Sequence, residues 1–221
     1  MDRIGPGRHV PDSGMNNPGY SIWRLNVTVD QALAPDYVPP STYADPRLQL
    51  VLDQGDPTAH HTWSPDGSRL AYRCSMAQPD GTRRLVVRLK GLMDGSDQVL
   101  GEWISDVSTG FMWGPSGDRI VAGNGLGDVW AFHADTPGLR TLLAPARTYK
   151  SGKDTITEEA RYPRFRPDGG VIGISYYKSV TNKSGTPVYR SPAIMAPTGW
   201  PAKALLSSSI VNESIPLGWT P

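Results

Sequence analysis

Four carboxylates recur at matching places in this chain: Asp56, Asp106, Glu159 and Glu213, each six or seven residues ahead of an aromatic, Trp63, Trp113, Phe165 and Trp219. Carboxylates converging from several segments on one mouth would suit a hard cation such as Ca²⁺, or a basic segment of a partner. The same spacing also arises when each acid accepts backbone N–H bonds in a loop that simply recurs, so both readings stand at this point. No other cofactor is indicated.

Other chemistries find less material. His60 and His61 are adjacent, and in an extended segment their side chains point to opposite faces, which is poor geometry for one metal; His9 and His133 are far away in sequence. Glu158, Glu159 and Arg161 read as an ion-pair cluster on a surface loop. Cys74 is the single cysteine, which excludes an internal disulfide and a cysteine-based metal site, and it reads as a small apolar residue inside a strand. The chain has no Gly-x-Ser-x-Gly elbow. Gly123-Asn124-Gly125-Leu126-Gly127 joins two strands rather than a strand and a helix, so it is a hairpin loop and not a phosphate cradle. No catalytic constellation is recognisable. Trp23, Trp103, Trp130 and Trp200 exceed what core packing needs, and any of them exposed on a common face would suit a protein or sugar.

The elements that must position these residues are set by an internal repeat. Thr62-Trp63-Ser64-Pro65-Asp66-Gly67-Ser68-Arg69-Leu70-Ala71-Tyr72 returns as Met112-Trp113-Gly114-Pro115-Ser116-Gly117-Asp118-Arg119-Ile120-Val121-Ala122 and as Arg164-Phe165-Arg166-Pro167-Asp168-Gly169-Gly170-Val171-Ile172. A further copy opens at Leu217-Gly218-Trp219-Thr220-Pro221. Proline presets φ for the first central position of a type I turn, Asp or Ser suits the second, and glycine takes the left-handed conformation that returns the chain into the next strand. Each copy therefore predicts strand, tight corner, strand. A second hairpin follows each corner, as in Arg84 to Leu89 with Asp97 to Gly101, and Asp128 to His133 with Leu139 to Leu143. Four strands per repeat, with almost no helix, define an all-β chain: a β-propeller of four-stranded antiparallel blades.

The expected organisation is a single domain over 1–221. It comprises a partial first blade at 1–55, full blades at 56–105, 106–158 and 159–212, and a strand at 213–221 that completes or starts a blade. Ser21 to Val27 and Leu48 to Leu52 supply strands of the first blade, and Pro11-Asp12-Ser13-Gly14 lies one period before Pro65. Two closures stay open, a ring of four blades or a fragment of a six- to seven-bladed propeller. A Pro-rich insertion lies between Ala32 and Pro46, and the basic, polar Thr148 to Ile156 reads as a second long connection.

Trp63-Ser64-Pro65-Asp66-Gly67, with His61 before it and Arg69-Leu70-Ala71-Tyr72 after it, resembles the repeat of TolB-like propellers, which also occurs in the propeller domains of tricorn and prolyl-oligopeptidase-type peptidases. The likeness covers roughly residues 56 to 221, and the later copies depart from it at Gly114, Ser116, Phe165 and Arg166. The resemblance implies a non-catalytic scaffold for a protein or peptide, working as a monomer in the periplasm or outside the cell. Two alternatives remain: a substrate-gating propeller of a prolyl-oligopeptidase-type serine peptidase whose catalytic domain lies outside this chain, and a metal-dependent lyase or hydrolase with its site at the channel mouth. A net charge of +1 with interspersed signs argues against a nucleic-acid partner. No apolar run is long enough to span a bilayer, and Met1 to Asn16 lacks the apolar stretch of a secretion signal.

Overall fold

The structure, a computed structural model, describes residues 2–6, 20–54, 61–103 and 108–204. The chain is nearly all-β, with four antiparallel sheets and one helix of five residues among the described residues. It divides into two compact units, Met1–Ala59 and His60–Pro221.

The first unit holds a three-stranded sheet of β1 (Asp2–Pro6), β2 (Tyr20–Leu25) and β3 (Leu48–Gln54) in that order. Ile22, Leu48, Val51 and Leu52 are its buried apolar residues. The Pro-rich insertion between β2 and β3 is tied down locally. It opens with α1 (Val29–Leu33), where Thr28 and Gln31 form a reciprocal capping box at 3.1 and 2.8 Å. Further on, Arg47 clasps Asp45 at 2.6 Å and donates to the Val38 carbonyl at 2.9 Å, while Tyr43 packs its ring 5.1 Å from that of Trp23.

The second unit carries three sheets, each a meander in chain order. Strands β4 (His61–Trp63), β5 (Arg69–Ala77), β6 (Arg83–Gly91) and β7 (Asp97–Glu102) form one. The next comprises β8 (Ser108–Trp113), β9 (Arg119–Asn124), β10 (Val129–His133) and β11 (Arg140–Ala144). The last has five strands: β12 (Arg147–Ser151), β13 (Asp154–Phe165), β14 (Ile172–Thr181), β15 (Val188–Ala196) and β16 (Gly199–Ala204). Facing sheets bury two apolar layers. Ala71, Val87 and Leu89 of the first sheet meet Ile120, Ala122 and Phe132 of the second. On the second sheet's other side, Val121, Val129 and Ala131 meet Ile172, Ile174 and Ala193 of the third. Sheets covered on both faces lose strict in-out alternation, and β9 shows it with five buried residues in a row, Ile120 to Asn124.

The stretch expected as a long connection, Thr148 to Ile156, is instead a tight hairpin of β12 and β13 belonging to the third sheet. Its loop is Gly152-Lys153, with Gly152 at φ +60°, the geometry of a two-residue II′ turn whose twist matches the strands it joins. Pairing overrides the polar composition here, because β13 offers a full ladder from Arg147↔Glu158 to Ser151↔Asp154.

Candidate functional site

All three complete copies of the repeat fold as corners: Pro65 between β4 and β5, Pro115 between β8 and β9, Pro167 between β13 and β14. In each, the glycine N–H closes a turn onto the carbonyl three residues earlier, Gly67 to Ser64 (2.9 Å), Gly117 to Gly114 (3.0 Å) and Gly169 to Arg166 (2.8 Å), with φ of +69°, +74° and +74°. The second central residue locks the first corner. Asp66 accepts Ser64 Oγ at 2.6 Å, the Ser68 amide at 3.1 Å and Ser68 Oγ at 2.8 Å, and these bonds hold its pKa at about 2, Ser64 contributing most. A carboxylate held below its unfolded value stabilises the fold at pH above about 4 and loses that contribution as pH falls towards 2. Replacing Asp66 with Ala is expected to lower the melting temperature at neutral pH and to flatten its decline across this acid window; thermal melts at stepped pH read both effects.

The corners converge. Trp63, Trp113 and Phe165, with Pro65, Pro115 and Pro167, Thr62, Met112, Arg164 and Arg166, line one open cavity of about 500 Å³ that draws on all three sheets of the second unit. Trp113 and Phe165 are each only 4% exposed and form its floor, while Trp63 is half-buried. Neighbouring corners are cross-linked. The Trp113 indole N–H donates to the Thr62 carbonyl at 2.9 Å, and the Arg69 guanidinium covers the Trp113 ring at 5.1 Å, donates to the Gly117 carbonyl at 2.8 Å and pairs with Asp135 at 2.7 Å. Trp63 keeps its own indole N–H buried with no partner. Of the two rim guanidiniums, Arg166 is held by Asp168, whereas Arg164 is exposed and has no ion pair among the described residues. The arrangement can take an apolar group with a polar or anionic neighbour; it presents no nucleophile with an adjacent base.

Of the four recurring acids, Asp56, Asp106 and Glu213 lie outside the described residues. Glu159 lies on β13, where Arg161 holds it at 2.6 and 3.0 Å. It rests on Gly127, so closely that a β-carbon there would fall 2.5 Å from the glutamate side chain. The neighbouring Ala160 amide donates to the Gly127 carbonyl at 2.9 Å, so Glu159 belongs to the seam between the second and third sheets. Among the described residues no group of three or more His, Cys, Asp or Glu is placed to hold a metal ion.

The Glu158, Glu159 and Arg161 cluster is on a strand, not a loop, and alternation separates its acids. Glu158 points to the other face of β13 and accepts the Tyr176 and Tyr149 hydroxyls at 2.6 and 3.1 Å. Those bonds and burial, the latter foremost, push the Tyr176 hydroxyl above its ordinary pKa. His61 sits on β4 and His133 lies 3.2 Å from Thr141 Oγ1; His9 and His60 fall outside the described residues. Cys74 is buried in β5. Of the four tryptophans, Trp103 is buried against Phe132, Trp130 lies under Arg140 at 4.8 Å and Trp23, in the first unit, packs on Tyr43; the Trp200 side chain is outside the description.

The cavity itself was not anticipated from the sequence, although the signal was there: the residues of the repeat that do not make the turn, the aromatic before each proline, are those that line it. No family model matches the chain, and no curated protein matches it. No helix among the described residues is long and apolar enough to cross a membrane.

Proposed function

We propose that the chain is a β-propeller, or part of one, of the TolB-like kind, and that it binds an apolar segment of a partner protein or peptide where its corner motifs meet. One observation carries this reading: three copies of one motif, each on a different sheet, contribute to a single open, largely apolar cavity. Turn chemistry explains the prolines and glycines of the motif, but a turn does not require an aromatic before it. Exposed apolar concavities with a few polar groups at the rim are where proteins hold ligands. Rigid elements present this one, since each corner is locked by its own bonds and Trp113 is bonded to the neighbouring strand.

The test is selection of a displayed peptide library on the intact protein, followed by competition with two rim variants, Arg164→Glu and Pro115→Glu. Both positions are exposed, so the fold is expected to persist. Selected peptides are expected to carry an apolar or aromatic residue beside a carboxylate and to lose about tenfold or more in affinity for both variants. Selection of peptides indifferent to both changes would remove the cavity as the binding site.

A further inference from the structure

The hairpin of β12 and β13 does more than add a fifth strand. Burial along β14 falls from complete at Ile172 to Ser175, through partial, to exposed at Thr181, and β12 is exposed at all five residues. Strand β12, residues 154–158 of β13, 177–181 of β14 and 188–190 of β15 thus form an arm outside the apolar layers. We propose that the edge of β12, unpaired among the described residues, accepts an extended segment of a partner protein as an additional strand, and that this segment alternates acidic and apolar residues.

Backbone geometry defines which groups are open. In a two-residue hairpin the pair closing the loop, Ser151 and Asp154, exchanges hydrogen bonds, as do Tyr149 with Ile156 and Arg147 with Glu158. Thr148 and Lys150 therefore turn their N–H and C=O groups away from β13, towards the open edge. Two residues at this spacing can make the ladder of an incoming strand.

The faces of the arm specify the occupant. Cross-strand register places Thr148 and Lys150 with Thr155, Thr157, Ser179 and Thr181 on one face, polar and basic next to the open edge, with Tyr177, Val188 and Arg190 further from it. On the other face Tyr149, Ile156 and Val180 form an apolar row, with Tyr149 42% exposed, flanked inward by the charged row Arg147, Glu158 and Lys178 and at the tip by Ser151 and Asp154. Charge sharpens the choice. Residues 147–158 and 176–190 hold six cations, Arg147, Lys150, Lys153, Lys178, Lys183 and Arg190, against the two acids Asp154 and Glu158, so the rest of this chain is net acidic. Elsewhere several arginines are ion-paired, Arg47 to Asp45, Arg84 to Glu102, Arg88 to Asp97 and Arg119 to Asp118 among them. Within the arm, Lys150, Lys153, Lys178, Lys183 and Arg190 have no carboxylate partner among the described residues; Lys150 meets only Thr155 Oγ1 and Arg190 only the Tyr177 ring. A strand with acids on one side and apolar groups on the other answers both faces at once. A second copy of this chain does not, because it would bring Lys150 and Lys153 against the same cations.

The experiment measures fluorescence polarisation of a labelled, capped peptide of alternating Val and Glu on the intact protein. Binding is expected, weakening with added salt, and a block peptide of the same composition is expected to bind at least tenfold less well. Thr148→Pro removes one outward N–H without touching the β12 to β13 ladder, and Lys150→Glu reverses a charge beside the edge; each is expected to weaken binding roughly tenfold. The alternating peptide carrying N-methyl groups on every second residue tests the same ladder without altering the protein, and it is expected not to bind. Equal affinity for the block or N-methylated peptide would overturn the proposal, as would tighter binding of a short thymidine oligonucleotide, or a protein dimer that Thr148→Pro dissolves.

Discussion

Trp113→Ala is expected to cost about 3–5 kcal/mol of unfolding free energy, the range for deleting a buried aromatic from a packed site. Its ring is nearly inaccessible, is covered by Arg69, and its indole N–H reaches across to the Thr62 carbonyl. Three losses therefore coincide: apolar burial, a cation over an aromatic face, and the indole's hydrogen bond to a backbone carbonyl. Trp113→Phe separates them, keeping most of the ring while removing the donor, and is expected to cost about 1 kcal/mol for the bond plus a smaller packing loss. Trp63→Ala, at the corresponding place in the first corner, removes a half-buried ring whose N–H makes no bond, and is expected to be clearly milder. Urea unfolding of the three variants gives the comparison. Equal effects of Trp113→Ala and Trp63→Ala would contradict the cross-linking role given to Trp113.

A second large effect is expected at the third sheet's last strand. Gly199 opens β16 at φ +110°, a conformation that L side chains rarely adopt, and a β-carbon there would sit 2.6 Å from the Leu143 carbonyl oxygen and 3.1 Å from the Leu143 Cα. Both obstacles are backbone, so no rotamer change relieves them. Gly199→Ala is expected to destabilise the protein by at least about 2 kcal/mol, combining a strained φ with displacement of β11 from β16. The readout is the chemical denaturation midpoint. Gly152→Ala is the control: its φ is also positive, but nothing lies within 4 Å of the added carbon, so only the conformational cost of about 1 kcal/mol remains.

What the sequence states locally, and what it does not, follows from the range of the forces involved. The corners were legible because a type I turn closed by left-handed glycine is decided within four residues, and Pro-Asp-Gly or Pro-Ser-Gly states it locally. The nearly all-β character follows from the same spacing. Strand β12 was hidden, since Arg-Thr-Tyr-Lys-Ser has neither alternation nor apolar content, and its state is imposed by the partner strand across the Gly152-Lys153 turn. The acids were read by their common spacing, yet the local pattern Glu159-x-Arg161 already placed an acid and a base on one face of a strand, two residues apart. That short-range pairing gives Glu159 a partner on its own strand. The cavity lay beyond reach for the opposite reason, because it exists only once three sheets have stacked and turned their corner aromatics inward.

Strands β13 and β14 are paired without a gap along the arm, from Thr155↔Thr181 to Arg161↔Ser175, and a bulge at Tyr162-Pro163 separates these rungs from those at Gly173 and Ile172. Fraying at the tip can therefore advance one rung at a time as far as that bulge while the inner rungs stay shut, so amide protection should fall as a smooth gradient from Ser175 out to Thr181 and step at the bulge. A load applied at Gly152 is carried inward through those paired rungs only as far as the bulge at Tyr162-Pro163, so the bulge, where Tyr162 takes φ +54°, sets where the arm can bend against the rungs at Ile172 and Gly173.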